Sequence, residues 1–386
     1  MKLNLGELTP GRFLSDYWQK RPLLIRQGLE GFGFDLDAND LAGLAMEEDV
    51  ESRIVWESRH GKPWQPENGP FDERTLSNMP DRGWTLLIQG LDHWHRPLAA
   101  LLDLFRFIPN WRLDDIMASV SPDGASVGPH FDYYDVFLIQ AEGRKRWHVG
   151  PVCDETSPRV AGTPLRILAD MAVTDSWVLE PGDILYLPPG VAHHGIADGF
   201  SITLSVGFRS PTLTEVASAW LDQLELDAIA PLHVDDLVST PQSRPGWLDP
   251  RVVRNAREAL VTQLLTESRL TRTLLRLSTE PKHSGIVIPP EEQVTISEVA
   301  DAGLQGWLWN EGSRYVYTRI GDTLCLAVDG TLFDLPHALE PFAAALSARS
   351  APDLSVVYEL SADDQELAWS VLTALINQGS LVQEAA

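Results

Sequence analysis

The chain has 386 residues, and 55 acidic against 30 basic side chains give it a formal net charge of -25. This excess of acid argues against binding to bare nucleic acid or to an anionic membrane. It favours a small-molecule substrate or a cationic protein partner, although solubility alone would also explain it. The two cysteines build no disulfide framework or zinc knuckle, and no apolar run reaches the length of a signal peptide or a membrane span. We therefore expect a cytoplasmic protein.

Residues 1–209 are rich in β-branched and aromatic runs broken by Gly and Pro, which predicts a domain that is mainly β with some helix. Short strands at this spacing are typical of an antiparallel double-stranded β-helix, or jelly roll. We expect two helices ahead of the strands, at 10–19 and 96–107, packed outside the barrel. The predicted strands lie at 115–120, 134–140, 145–149, 176–179, 184–187 and 201–208.

Two segments of this predicted barrel together indicate a metal site. The first has the form G-x5-H-x-D and ends in His130 and Asp132, and the second has the form G-x5-P-x-G-x2-H and ends in His193. On a strand, side chains two positions apart leave the same face, and a second strand would bring His193 beside them. Two imidazoles and one carboxylate suit a non-haem Fe(II) site that activates oxygen. His194 is the alternative third ligand, and it would face the opposite side.

Lys145 follows the predicted strand 134–140 at what looks like the return of a hairpin. At an inward-facing strand position, its ammonium group would hold the distal carboxylate of a keto-acid cosubstrate. The alternative is a solvated edge-strand charge, which the period-2 alternation predicts for Arg144 and Arg146. The spacing alone leaves both interpretations of Lys145 open.

Residues 210–282 have a helical pattern. Thr212 and Glu215 form a capping box, and apolar residues recur at helical spacing between 253 and 275. Such a segment with an apolar stripe often forms an oligomer interface, and the alternative is a helix pair packed on its own barrel. We expect a dimerisation region.

The last part of the chain has the pattern of a small α+β unit. Short strands are predicted at 315–320, 324–328 and 331–335, with Asp329-Gly330 as a two-residue turn. An amphipathic helix is predicted at 365–378, with Gly379 as its C-terminal cap. Helices with a small hairpin fit a winged-helix-like domain. Because the chain is acidic, we expect this domain to contact protein and not DNA.

With these motifs in place, the chain resembles the JmjC and cupin-type 2-oxoglutarate oxygenases. No Glu follows Asp132 where four-ligand cupins supply one, which favours the oxygenases. A closer resemblance is carried by FLSDYWQKRPLLIRQ at 13–27, GPHFDYYDVFLIQ at 128–140, GRKRW at 143–147 and SVGFR at 205–209, and it covers nearly the whole chain. By these segments the chain resembles the bacterial ribosomal oxygenases, arginine hydroxylases of the sixteenth large-subunit ribosomal protein.

The resemblance implies Fe(II) held by His130, Asp132 and His193, with 2-oxoglutarate and O2 as cosubstrates. It implies that 2-oxoglutarate is bound by Lys145, where close bacterial relatives have Arg, and that Thr203 makes a polar contact with it. It also implies a homodimer. We therefore predict three regions, a JmjC/cupin catalytic domain at 1–209, a helical dimerisation region at 210–282 and a winged-helix-like domain at 283–386.

The expected substrate is an arginine side chain in a basic large-subunit ribosomal protein. Tyr133, Tyr134 and Asp135 flank the predicted triad and would line the substrate pocket, with Asp135 pairing with the guanidinium group. The three could equally belong to the barrel core. Two other functions stay open: a related oxygenase acting on histidine, RNA or a small molecule, and a non-oxygenase metal cupin that is an isomerase or a binding protein.

Overall fold

The structure is a computed structural model that describes residues 1–224, 244–282 and 285–383. The chain divides into two compact units, Met1–Ser210 and Pro211–Ala386. Residues 225–243 of the predicted dimerisation region lie outside the described residues, as do 283–284 at the start of the predicted winged-helix-like domain. No helix among the described residues is long and apolar enough to cross a membrane.

The first unit contains an antiparallel sheet of nine strands, and it is the predicted double-stranded β-helix. The strands of this unit are β1 Lys2–Leu3, β2 Leu23–Ile25, β3 Leu29–Glu30, β4 Ser52–Arg59, β5 Lys62–Asn68, β6 Trp84–Ile88, β7 Leu113–Ser121, β8 Asp135–Val152, β9 Asp175–Leu179, β10 Ile184–Leu187 and β11 Val191–Phe208. Neighbouring strands along the sheet follow the order β2-β10-β8-β11-β7-β6-β4-β5, with β9 paired to β8, while β1 pairs separately with β3.

Strands β8 and β11 pair with each other along most of their length and have 18 residues each. The first part of β8 also pairs with β10 and its later part with β9, so that β8 belongs to both halves of the barrel. The predicted hairpin return before Lys145 is therefore wrong. The strand continues through Gly143, whose φ is +63° and which lies against the Phe200 carbonyl at an irregularity of β11.

Four short helices belong to the first unit, and they are α1 Pro10–Asp16, α2 Ala38–Leu44, α3 Glu73–Ser77 and α4 Arg96–Ala99. Helix α1 is shorter than predicted, and Gln19 beyond it has a φ of +58°, which a right-handed helix does not allow. The predicted helix at 96–107 consists of α4 followed by a 3-10 segment, Ala100–Phe105. Phe13 of α1 packs on Phe137 and Tyr186 inside the barrel, which fixes α1 to the sheet.

The second unit combines helices with a small antiparallel sheet. Its elements are α5 Leu213–Asp222, α6 Pro250–Ala259, α7 Glu267–Thr279, α8 Ile296–Ala302, β12 Trp307–Trp309, β13 Tyr315–Ile320, β14 Thr323–Val328, β15 Thr331–Leu335, α9 Glu340–Leu346, α10 Ala362–Gln378 and β16 Leu381–Gln383. Strands β13, β14 and β15 pair in sequence order, and β12 pairs with β16. Helix α5 begins at the predicted capping box, because the Thr212 hydroxyl accepts from the Glu215 N–H at 3.2 Å and Glu215 accepts from the Thr212 N–H at 2.6 Å.

The predicted turn and helix cap of this unit are both present. Asp329 and Gly330 join β14 to β15 with φ values of +49° and +80°, the combination that a tight hairpin turn requires. Gly379 ends α10 in the left-handed conformation. The apolar face of α10, including Val371, Leu372 and Leu375, is buried in the core of the unit.

Candidate metal centre

The two halves of the predicted metal motif meet through their main chains. The His130 N–H donates to the His193 carbonyl at 3.0 Å, and the His193 N–H donates to the His130 carbonyl at 2.8 Å. His193 lies in β11, whereas His130 makes a single bridge and is not part of a regular strand, contrary to the strand geometry assumed from the sequence. The Gly190 N–H also donates to the Asp132 carbonyl at 2.7 Å, which holds the two segments in register.

His130, Asp132 and His193 present one possible ligand atom each, and these atoms lie within 4.8 Å of one another. The His193 Nε2 atom is 3.6 Å from an Asp132 carboxylate oxygen, and the two imidazole centroids are 4.3 Å apart. Two imidazoles and a carboxylate at this spacing fit one divalent transition metal and leave its other positions open.

Backbone carbonyls orient both imidazole rings. His130 Nδ1 lies 2.9 Å from the Gly128 carbonyl, and His193 Nδ1 lies 3.0 Å from the Val191 carbonyl. Because a carbonyl can only accept, each Nδ1 carries the proton and each Nε2 keeps a lone pair for a metal. Burial, followed by the nearby His130, lowers the pKa of His193 to about 4, so its ring is neutral as a metal ligand must be.

His194 lies outside this group. It is the cross-strand partner of His148, with the two ring centroids 6.4 Å apart, and it follows His193 on the strand so that its side chain leaves the opposite face. Burial is the main reason why the pKa of His194 is lowered to about 4. Its placement does not support the alternative in which His194 is the third ligand.

Lys145 is buried inside the barrel, with only 3% of its surface exposed. Its Nζ donates to the Ser119 hydroxyl at 3.2 Å, and burial lowers the pKa of its ammonium group to about 8. Arg144 and Arg146, on the alternate face of the strand, are exposed. The interpretation of Lys145 as a solvated edge-strand charge is therefore wrong, and a buried cation lies within the barrel.

Thr203 and Ser119 are directly opposite each other on β11 and β7. Both are buried, and the Thr203 hydroxyl donates to the Gln140 side-chain carbonyl at 3.1 Å. The sequence does not predict Ser119 as a site residue, because no local motif marks it. Ser119 reaches Lys145 only through the pairing of β7 with β11, two strands that lie far apart in the chain.

Asp135 does not line a substrate pocket. It is fully buried, and its carboxylate accepts from the Arg112 guanidinium at 2.9 Å, the Tyr186 hydroxyl at 2.6 Å and the Gln19 side-chain amide at 3.3 Å. A carboxylate with these partners has no face for a substrate guanidinium, so the predicted role of Asp135 is wrong. Its alternative assignment to the core is the one that fits.

Tyr133 and Tyr134 lie beside the triad and are partly exposed, at 48% and 43%. The Tyr133 hydroxyl donates to Glu155 at 2.5 Å. Loss of hydration raises the pKa of the Tyr134 hydroxyl well above its ordinary value, and the carboxylates of Asp132 and Asp115 raise it further. The Tyr134 phenol is therefore close enough to the Asp132 carboxylate of the metal centre to be affected by its charge.

Comparisons with known proteins agree with this architecture. A family model described as a JmjC domain matches residues 100–216, and one described as a ROXA-like winged helix matches residues 259–382, which confirms the winged-helix-like fold predicted for the C-terminal part. The chain is 34% identical over 367 residues to ribosomal protein uL16 3-hydroxylase of Escherichia coli strain K12, and the match covers 95% of each protein.

Solved structures extend the similarity to the whole chain. The X-ray structure of E. coli YcfD matches with a TM-score of 0.86 at 33% sequence identity and covers 100% of both chains. A structure of YcfD as a ribosomal oxygenase in complex with cobalt and 2-oxoglutarate matches with a TM-score of 0.84, covering 100% of this chain and 99% of that one.

Proposed function

Since this chain belongs to the ribosomal oxygenase family of JmjC proteins, we propose that it is an Fe(II)- and 2-oxoglutarate-dependent hydroxylase of an arginine side chain in the large-subunit ribosomal protein uL16. The observation that carries the proposal is the grouping of His130, Asp132 and His193 in the same barrel as the buried cation Lys145. An oxygenase of this class needs both a metal and an anchor for a dicarboxylate. We also propose that it acts in the cytoplasm.

Iron is the metal that this donor set suits when the reaction is oxygen activation, because it leaves positions for a cosubstrate and for O2. When bound, iron would couple the oxidative decarboxylation of 2-oxoglutarate to the insertion of one oxygen atom into a C–H bond. The chain's own part is to orient the two imidazoles, because the carbonyl partners of His130 and His193 hold the Nδ1 sides and leave the Nε2 atoms for the metal.

Lys145 is the proposed anchor for the distal carboxylate of 2-oxoglutarate. Its ammonium group is desolvated, so a charge-assisted hydrogen bond to a carboxylate would restore the interactions that burial removed. Ser119 lies within hydrogen-bond distance of the same Nζ, and it would donate to the bound anion. Thr203 is opposite Ser119 and remains a proposed polar contact, although its hydroxyl already has Gln140 as an acceptor.

The substrate is proposed to be cationic because of the charge of the whole chain and the exposed aromatic rings beside the centre. Tyr134 is 43% exposed next to the Asp132 carboxylate, and its ring is a proposed contact for a guanidinium group. Tyr133 is the other exposed aromatic beside the triad and remains a proposed substrate contact. The net charge of -25 would speed the encounter with a basic ribosomal protein.

The test is to incubate the Fe(II)-loaded enzyme with its own organism's uL16 and read the intact mass and the fragment masses of the product. A gain of about 16 Da on one arginine, dependent on 2-oxoglutarate and absent with Asp132→Ala, is the expected result. Oxygen addition to a histidine, to RNA or to a small molecule would keep the enzyme class and refute the substrate. No turnover of 2-oxoglutarate with any of them would indicate a non-oxygenase metal cupin.

A further inference from the structure

Trp147 lies between the two functional groups of the barrel. It is two positions after Lys145 on β8, and the Lys145 Nζ is 5.4 Å from the centroid of its ring. The centroid of the Trp147 ring is also 5.8 Å from the centroid of the His193 imidazole. A molecule that reached from the metal ligands to Lys145 would therefore run along the indole.

The indole N–H of Trp147 is buried without a hydrogen-bond partner among the described residues. Only 5% of the residue is exposed, so the donor is removed from bulk solvent. A buried donor without an acceptor is unfavourable, and such groups are uncommon in folded proteins. We propose that this N–H donates to a carboxylate oxygen of bound 2-oxoglutarate, so that Trp147 is a positioning residue for the cosubstrate. The inference rests on the proposed function.

Gly195 fixes where the indole lies. It is the direct cross-strand partner of Trp147, and a Cβ at this position would stand 2.7 to 2.9 Å from three carbons of the six-membered ring. The benzene half of the indole thus occupies the space that any other residue would fill, with the pyrrole half and its N–H beyond it. Since Gly195 does not have a positive φ, space and not backbone conformation is the reason for glycine here.

The first experiment measures 2-oxoglutarate binding to the Co(II)-loaded protein by titration calorimetry, so that no turnover is needed. Trp147→Phe keeps an aromatic ring and removes the five-membered ring of the indole with its N–H, and we expect 2-oxoglutarate to bind about tenfold more weakly because a hydrogen bond to a charged acceptor is lost. Co(II) affinity should be unchanged, which separates a cosubstrate contact from general damage to the barrel. Trp84→Phe, which removes an indole N–H bonded to the Pro80 carbonyl, is the matched control and should bind normally.

A second variant tests the position of the ring independently of the N–H. Gly195→Ala would push the indole away from β11, and we expect a similar loss of 2-oxoglutarate affinity with Co(II) affinity retained. If Trp147→Phe and Gly195→Ala both bind 2-oxoglutarate as the wild type does, the inference is overturned and the proposed function stands. If the wild type itself does not bind 2-oxoglutarate, the proposed function fails, and the inference fails with it.

Discussion

The imidazoles of His130 and His193 are oriented by carbonyl groups two residues earlier in their own segments. Most of the cost of ordering these side chains is therefore met when the protein folds, before any metal arrives. The His193 ring is also neutral, because burial lowers its pKa to about 4. A preformed site of this kind should bind metal without a large change in structure.

Replacing any one of His130, Asp132 and His193 by Ala should weaken Co(II) or Fe(II) binding at least about 100-fold, because three protein ligands are the minimum for such a site. His194→Ala is the control on the same strand and should bind metal normally. Titration calorimetry measures the affinities, and circular dichroism checks that the variants fold. Normal metal binding by His193→Ala together with loss in His194→Ala would show that the third ligand is misassigned.

The buried Lys145 makes 2-oxoglutarate binding depend on pH. Its pKa is lowered to about 8, so above that pH the unliganded protein holds a neutral amine. An anion binds the ammonium form, and the dissociation constant should therefore rise about tenfold per pH unit above pH 8. Lys145→Arg should remove this rise, since a guanidinium keeps its charge. Titrations of the Co(II) proteins between pH 7 and 9.5 check this, and equal slopes for wild type and Lys145→Arg would contradict it.

Among individual residues, the sequence predicts those site residues that stand in a short motif with characteristic spacing. His130, Asp132 and His193 stand in short motifs with Gly and Pro, and the structure brings these three together. Asp135 is misjudged because its main partner, Arg112, is 23 positions away in an unrelated segment. Nothing local distinguishes a carboxylate that faces a substrate from one that is buried in an ion pair.

At the scale of elements, β8 and β11 are the two longest strands of the barrel, and they come very close to each other at Gly143 and Phe200. The Gly143 Cα lies so close to β11 that an added Cβ would stand 1.9 Å from the Phe200 carbonyl oxygen. A backbone atom cannot move aside as a flexible side chain can, so this contact explains why β8 passes this point only with glycine.

Gly143→Ala should destabilise the first unit by about 3 kcal/mol, since it adds the clash to the cost of a positive φ. Gly199→Ala is the matched control, because Gly199 has a φ of +84° and open space at its Cβ position. We expect about 1 kcal/mol for this control. Urea unfolding monitored by tryptophan fluorescence measures both values, and equal destabilisation by the two variants would refute the role of the Phe200 contact.

The strands around Gly143 show which strand bounds the sequence predicts well and which it does not. Strand 184–187 is predicted with the bounds that β10 has, because Gly and Pro mark its two ends. Residues 134–149 are read as two strands because the glycine at 143 also resembles a turn. A bulge and a hairpin turn use the same residue types, and only the pairing of β8 with β11 decides between them.

At the scale of the whole molecule, the helices of the second unit expose apolar side chains. Neither α5 nor α6 has a buried residue. Monomeric proteins seldom leave large apolar patches in water. The exposed side chains include Leu213, Leu221, Val253, Leu260 and Val261. This favours the homodimer that the family resemblance implies.

We predict that the protein is a homodimer through these helices, with the same patch contributed by each subunit. Light scattering at micromolar concentration should give about twice the 42.8 kDa mass of one chain. The double variant Leu221→Asp, Leu260→Asp should be monomeric, because a carboxylate would be buried without a partner. Val173→Asp, at an exposed apolar position of the first unit, should stay dimeric. A monomeric wild type would contradict the prediction.

The distance along the chain between the halves of the metal centre has a consequence for biosynthesis. His130 and Asp132 leave the ribosome well before His193, and the β11 residues that pair with the start of β8 extend to Phe208. At about 5 to 20 residues per second, the interval from residue 130 to residue 208 is roughly 4 to 16 seconds. Until His193 is added the nascent chain has two of its three ligands, and until Phe208 is added β11 cannot pair fully with β8, so we expect iron to be acquired after the domain has been synthesised.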